Sequence, residues 1–315
     1  MVSVTRQTSL FAATLLLLTI GATVARLHYN PFAAETAVSP FMPQLWQQIA
    51  SGILLFVTAI LTNRITVKTG ILRGFSTLPV TLFGFIACGI LLSPNLLTAS
   101  LLALLTSIAM LFLLQTLHSI RDKEALFTGA LFLGMLPIIY PPSIFFATTI
   151  LIIIFVVPLS FRQTIIATTG YLLPIAVASY IHWYLGGNIT DIALNIWSEI
   201  ITPATKIALE PLPIVTALLF IALILTLIYG VMIGTHNRYA MLVPARKAIQ
   251  LNIWMLLFGI VALFAIPGCN ITIIPSIAIS ITIISAFAID RMETKWANWF
   301  YLTIVALVII HLLLY

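Results

Sequence analysis

The residue types best suited to chemistry gather in one polar stretch near the N-terminus. Arg26, His28 and Glu35 follow the first apolar run and lie within ten residues of each other. A guanidinium can hold a phosphate through two hydrogen bonds, a carboxylate can serve as a base or a metal ligand, and an imidazole can do either. The stretch therefore predicts a candidate catalytic group of Glu35, His28 and Arg26. The simpler interpretation is a solvated loop in which Arg26 anchors a helix at the membrane interface.

A second informative region, residues 188–201, has the pattern of an amphipathic helix. Ile192, Ile196 and Trp197 recur at helical spacing and are predicted to share one apolar face. Such a helix is expected to lie at the outer membrane interface, with the indole near the lipid headgroups. Two interpretations stay open: a structural cover that packs on the rest of the protein, or a lid over an outward-facing cavity.

The composition places the chain among membrane proteins. Of its 315 residues, 62% are hydrophobic and 7% are charged, and the mean hydropathy is +1.18. Soluble domains carry about 25% charged residues, so a water-soluble fold of this size could not cover so much apolar surface. The sequence therefore predicts an all-α fold, a polytopic transmembrane helical bundle that forms a single domain over residues 1–315.

About eleven apolar segments follow one another, and most are long enough to cross ~30 Å of hydrocarbon at 1.5 Å per residue. The predicted segments are residues 8–25, 45–62, 76–93, 96–117, 125–140, 143–160, 164–185, 212–234, 250–267, 270–289 and 297–315. The fifth and sixth are short and are joined only by Pro141 and Pro142, so nine spans plus a re-entrant pair is the alternative. The first segment resembles a signal peptide, but its length favours a helix that is kept.

The charges in the loops test this count. With the N-terminus inside and the C-terminus outside, twelve of the 14 lysines and arginines fall on the inner side, and only Arg26 and Lys206 fall outside. Basic residues are concentrated in cytoplasmic loops of membrane proteins, so the asymmetry favours both the count and the orientation. It also explains the net charge of +6 without a nucleic acid, since no Lys/Arg cluster typical of such binding occurs.

Nothing in the sequence predicts a cofactor or a metal site. Cys88 and Cys269 stand alone in or beside apolar stretches and are expected to act as small hydrophobic residues. No Asp, Glu, Lys or Arg falls near the middle of a predicted span, which argues against a proton pump or a carrier driven by a carboxylate relay. The few hydroxyls inside the spans are expected to bond the preceding helical turn or a neighbouring helix.

Three stretches in the first part of the chain carry a family resemblance. They are LTNRITVKTG at residues 61–70, EALFTGA at 124–130 and LPIIYPP at 136–142. On these stretches, roughly residues 1–185 resemble an uncharacterised family of polytopic inner-membrane proteins of Bacteroidota. The resemblance implies a compartment, the cytoplasmic (inner) membrane, and no particular chemistry.

Three functions follow as hypotheses. The first is a non-catalytic component of the cell envelope that works through membrane lipids or other envelope proteins. The second is an enzyme similar to membrane glycosyltransferases, which act on lipid-linked saccharides. Such enzymes carry an acidic residue in the first outer loop, and Glu35 has that position here. The third is a transporter of a lipid or small molecule. The lack of a catalytic motif and of buried charge favours the first.

Overall fold

The computed structural model describes residues 9–29, 44–72, 76–89, 96–117, 122–156, 159–202, 214–236 and 241–314. Within them the chain forms twelve α-helices and two 3-10 helices and contains no strand, which confirms the predicted all-α class. The α-helices are α1 Ser9–Tyr29, α2 Gln44–Thr69, α3 Leu78–Gly89, α4 Leu96–Gln115, α5 Lys123–Ile139, α6 Ala147–Val156, α7 Phe161–Tyr184, α8 Asp191–Ile201, α9 Ile214–His236, α10 Val243–Ala265, α11 Ile274–Arg291 and α12 Thr294–Leu314. The 3-10 helices are η1 Pro141–Phe146 and η2 Ile271–Ile273.

Six of these helical stretches are long and apolar enough to cross a membrane. They are Leu45–Thr69, Leu96–Gln115, Phe161–Tyr184, Ala217–His236, Val243–Ala265 and Ile271–Arg291. In hydrocarbon the backbone polar groups must be satisfied within the segment, which is why apolar runs of this length fold as helices. The chain is thus a helical protein suited to a membrane.

Helix α11 occupies the centre of the bundle. It packs against α3, α4, α9 and α10. Of the 18-residue apolar stretch that could cross the membrane, 83% is buried in α11, against 28% in α7 and in α9. Glycines on two neighbours allow this close approach: a Cβ on Gly230 would lie 2.9 Å from the Ile284 side chain, and one on Gly259 would lie 2.9 Å from Ile277. Small residues at helix contacts are how membrane helices gain van der Waals contact without a hydrophobic driving force.

One end of the bundle, which we call the Tyr140 end, gathers three connections. The Tyr140 hydroxyl follows α5 and is bonded to the loop between α10 and α11, 3.1 Å from the Gly268 carbonyl oxygen. Helix α8, which follows α7, packs on η1. The C-termini of α5, α7 and α10 therefore lie at the same end.

The opposite end, which we call the Lys68 end, joins α2, α4 and α5. The Lys68 ammonium donates to the Gln115 side-chain oxygen (2.9 Å), and the Gln115 amide donates to the Asp122 carboxylate (3.3 Å). Asp122 also caps α5 by accepting from the Ala125 N–H (3.2 Å). Since the 17 residues of α5 separate the two ends, they lie about 25 Å apart along that helix.

The helices overrun the predicted segments where charged residues begin. Helix α2 continues to Thr69 and so includes Arg64 and Lys68, and α10 begins at Val243 rather than near residue 250. Hydropathy marks only the stretch that suits hydrocarbon, whereas helical hydrogen bonding continues into the polar interface, where long basic side chains reach water. The predicted loop boundaries at these two helices are wrong for that reason.

Candidate functional site

The structure describes only part of the predicted N-terminal site. Arg26 and His28 belong to the last turns of α1, which continues to Tyr29 instead of ending near residue 25. Their side chains and the whole of Glu35 lie outside the described residues. Helix α1 packs on α2 and α3, whereas α8 packs on α5, η1 and α7. The two predicted features thus rest on different groups of helices.

Helix α8 is fixed to the bundle at its C-terminal end. Its Ile200 carbonyl accepts a hydrogen bond from the Gly268 N–H (3.1 Å). A Cβ on Gly268 would overlap the Glu199 carbonyl oxygen, so only glycine allows this approach of loop to helix. Ile196 points toward the bundle and is 7% exposed. The predicted amphipathic helix is therefore present, and the α10–α11 loop holds its last turn.

The Tyr140 hydroxyl ties that loop to the end of α5. It accepts from the Asn270 N–H (2.8 Å) and lies within donating distance of the Gly268 carbonyl (3.1 Å) and of the Asn270 side-chain oxygen (3.0 Å). Burial raises the pKa of the Tyr140 hydroxyl well above its usual range, so the group keeps the proton that it donates. This neutral contact holds together two segments 128 residues apart in sequence.

The N-terminal end of α8 is held by an ionisable pair. The Asp191 carboxylate lies 3.2 Å from the His182 Nε2 atom and accepts from the Asn188 N–H (3.0 Å). The hydrogen bond from the Asn188 backbone, followed by that from His182, lowers the pKa of Asp191. Gly187 lies so close to the imidazole that a Cβ there would overlap it. The helix starts at Asp191, three residues later than predicted, because Asp191 folds back on the turn before it.

The predicted shared face of α8 needs correction. Ile196 is buried, but its neighbour Trp197 is 64% exposed, and Leu194 and Ile201 are exposed with it. Successive helical residues differ in direction by about 100°, so Leu194, Trp197 and Ile201 form a separate stripe on the side away from Ile196. We call these three residues the outward stripe. Helix α8 thus has two apolar sides, one seated on the bundle and one left open.

Cys269, beside Tyr140, is a free and buried thiol. Burial raises its pKa to about 11, so it stays protonated near neutral pH and is a poor nucleophile. This fits the expected role of a small hydrophobic residue. Over the described residues, no three His, Cys, Asp or Glu side chains come close enough to hold a metal ion.

Polar groups inside the helices divide into two classes. Thr62 and Ser107 bond the carbonyl of the preceding turn (2.8 Å each), as predicted. On α11, however, four buried hydroxyls find no hydrogen-bond partner in the described part of the chain. They are Ser276, Ser280, Thr282 and Ser285. Sequence reasoning passed over them, although four hydroxyls within ten residues of an apolar helix are a visible signal.

Comparison of the chain with protein-family models, with curated proteins and with solved structures finds no match.

Proposed function

We propose that this chain is an eleven-pass integral protein of a bacterial inner membrane that works as a non-catalytic envelope component, with α8 as its outer docking helix. The observation that carries the proposal is the outward stripe. A lid that closes over a substrate turns its large apolar side chains inward, whereas α8 directs Trp197 away from the bundle. An exposed indole flanked by aliphatic side chains is suited to the lipid interface or to a membrane partner.

The way in which α8 is held supports a fixed docking helix rather than a lid that opens and closes. Its last turn accepts a backbone hydrogen bond from Gly268, and its first turn is tied to His182 through Asp191. Gly187 and Gly268 leave no space for a side chain at either end of the helix. A helix fixed at both ends presents its free side in a constant orientation, which lowers the entropy cost of binding there.

Charge at the two ends supports the orientation. All the lysine and arginine side chains that the structure describes belong to helix ends at or next to the Lys68 end. They are Arg64, Lys68, Lys123, Arg162, Arg246, Lys247, Arg291 and Lys295. The positive-inside rule then assigns the Lys68 end to the cytoplasm and α8 to the outer face.

The position of Tyr140 supports eleven spans over nine spans plus a re-entrant pair. A re-entrant pair would turn back inside the membrane. Instead, the junction of α5 and η1 bonds the loop after α10, at the end of the bundle where α8 follows α7. In the proposed topology α5, about 25 Å long against ~30 Å of hydrocarbon, and η1–α6 are the two short crossings among the eleven.

Topology is tested with single cysteines in a chain whose Cys88 and Cys269 are replaced by serine. A cysteine at Thr190 should react with a membrane-impermeant maleimide in intact cells, and one at Glu124 only after the membrane is opened. Labelling of both positions in intact cells, or of Glu124 alone, would contradict the proposed orientation.

The docking role is tested by replacing the outward stripe with serine at all three positions. Photo-crosslinking from position 197 in native membranes should give a defined lipid or protein adduct, and position 195 on the same helix serves as the control. The stripe variant should lose envelope integrity, measured as sensitivity to detergent, while keeping its melting temperature. Full envelope function in that variant would remove the basis of the proposal.

The glycosyltransferase-like alternative makes a different prediction. A Glu35→Gln change should then alter the glycan or glycolipid profile of the envelope, while the stripe variant should leave that profile intact. Under the docking proposal, Glu35→Gln leaves that profile unchanged, whereas the stripe variant loses envelope integrity.

A further inference from the structure

The open surface of α8 is divided between two kinds of side chain. Measured from the buried Ile196, a rotation of about 100° per residue places the outward stripe about 130° round the helix in one direction. At about the same angle in the other direction lies a polar flank, which consists of Asp191, Asn195 and Ser198. Helix α8 therefore has three sides: one on the bundle, one apolar and one polar.

This separation of the two open sides indicates two surrounding media. A helix whose open surface met water alone would carry polar residues on both sides. A helix that packs on protein at the membrane surface instead meets lipid on one side and water on the other. The arrangement of side chains on α8 fits the second case.

The attachments of α8 place it where long apolar helices end. Its Asp191 carboxylate lies 3.2 Å from His182 Nε2, two residues before the end of α7. Its last turn accepts from the Gly268 N–H (3.1 Å), three residues beyond the end of α10. Helices α7 and α10 have 24 and 23 residues and so are about 35 Å long, slightly more than the ~30 Å of hydrocarbon. In a membrane their ends, and α8 between them, fall in the interfacial layer.

Exposed apolar side chains lead from α7 into the outward stripe. Trp183 and Tyr184 in the last turn of α7 are exposed, as are Leu185 and Ile189 in the connection to α8. Trp and Tyr are enriched at the membrane interface because their rings are apolar and their tips are polar. Helix α8 contains no lysine or arginine that could bind an anionic headgroup. The stripe is therefore suited to the apolar part of the interface and not to a headgroup charge.

We propose that α8 lies in the outer leaflet at the rim of the bundle, with the outward stripe against the glycerol and upper acyl region of the lipids and the polar flank in water. This names the partner of the docking helix, and it rests on the proposed function for its membrane setting. In this arrangement Trp197 meets lipid, whereas Ile196, which the apolar spacing put on the same face, packs on protein.

Spin labels on α8 test the three-sided arrangement. Each label is attached to a single cysteine of the full-length chain, with Cys88 and Cys269 replaced by serine, in phosphatidylcholine vesicles. Collision with oxygen, which concentrates in lipid, is compared with collision with a water-soluble nickel chelate present on both sides of the vesicles. Trp197→Cys should favour oxygen and report a depth of about 5–10 Å below the headgroups. Asn195→Cys, the matched control on the polar flank, should favour nickel.

The other positions of α8 extend the comparison around the helix. Labels at positions 194 and 201 should behave as at 197, and a label at 198 as at 195. Preference for nickel along the whole stripe would overturn the proposal, since the stripe would then face water. Low collision with both reagents at Trp197→Cys would also overturn it, because a second copy of the chain would then cover the stripe. A depth that appears only after phosphatidylglycerol is added would overturn it in favour of headgroup recognition.

A label in the middle of α7 separates this inference from the proposed function. Leu173 is exposed on that helix, so Leu173→Cys should favour oxygen in a chain that crosses the membrane. Preference for nickel at Leu173→Cys would refute the membrane setting and the proposed function with it. Preference for oxygen there beside nickel at Trp197→Cys would refute only the lipid contact of α8.

Discussion

The two ends of the bundle are built on opposite principles. At the Tyr140 end, neutral groups join loop to loop, and a helix is fixed across the surface. At the Lys68 end, charged side chains are exposed and Lys68 is bonded to the side chain of Gln115. A buried neutral hydrogen bond is costly to break because its partners are left unsatisfied, whereas an exposed charged contact is replaced by water at little cost. The first end is therefore expected to be held more rigidly than the second.

The largest difference between the ends should come from their glycines. Gly268→Ala is expected to destabilise the protein by about 3 kcal/mol, since the new Cβ would overlap the Glu199 carbonyl and force α8 off its seat. Gly234→Ala, near the Lys68 end, should change stability by less than about 1 kcal/mol, because its Cβ would lie 3.3 Å from Ile249 Cγ2 and 3.8 Å from Phe287 and alanine favours the helix. Thermal unfolding in detergent compares the two variants. Similar melting temperatures would show that the Tyr140 end is no more rigid than the other.

Removal of a single hydroxyl should give the next largest effect. Tyr140→Phe removes the hydroxyl that the Asn270 N–H and the Gly268 carbonyl oxygen bond, at an expected cost of about 2 kcal/mol. Tyr180→Phe, at an exposed site, should cost nothing measurable. At the opposite end, Gln115→Ala breaks two contacts that water can replace, so we expect a loss below about 0.5 kcal/mol. If Gln115→Ala cost as much as Tyr140→Phe, the contrast between the ends would fail.

The smallest effect should be the acid sensitivity of α8. Because the pKa of Asp191 is lowered in the folded protein, its stabilising contribution is present above the unfolded pKa near 4 and is lost as the pH falls through the lower folded value. Hydrogen exchange across α8, corrected for intrinsic rates, should therefore speed up below about pH 4. Asp191→Asn should abolish this pH dependence, and Glu199→Gln on the same helix should keep it. Unchanged protection of α8 in acid would mean that Gly268 alone holds the helix.

Much of the fold could be predicted from the sequence because its signal is local. Each predicted apolar segment falls on a helix of the structure, and the amphipathic pattern correctly located α8. The order of the chain and the hydropathy of each segment decide these features. The boundaries at Arg64 and Arg246 were wrong because helices continue past the hydrocarbon region into the interface, which a count of apolar residues does not register.

The candidate sites were harder to predict because they depend on contacts between distant residues. Tyr140 meets Gly268 across 128 residues, and only the packing of α5 beside α10 and α11 brings them together. The outward direction of Trp197 depends on which side of α8 the bundle occupies, and the apolar spacing fits either side. Arg26, His28 and Glu35 remain a prediction, since their side chains lie outside the described residues.

The central place of α11 has a consequence for biosynthesis. A ribosome delivers helices in order, and the four helices that pack most closely on α11, which are α3, α4, α9 and α10, are all made before it. Until residue 291 is made, these helices lack their common partner. The helix surfaces at Gly230 and Gly259 then have no α11 side chain to pack against. The nascent bundle therefore lacks its central helix until translation is nearly finished. Truncation between α10 and α11 should yield a chain that membrane proteases remove, however many helices it has already inserted.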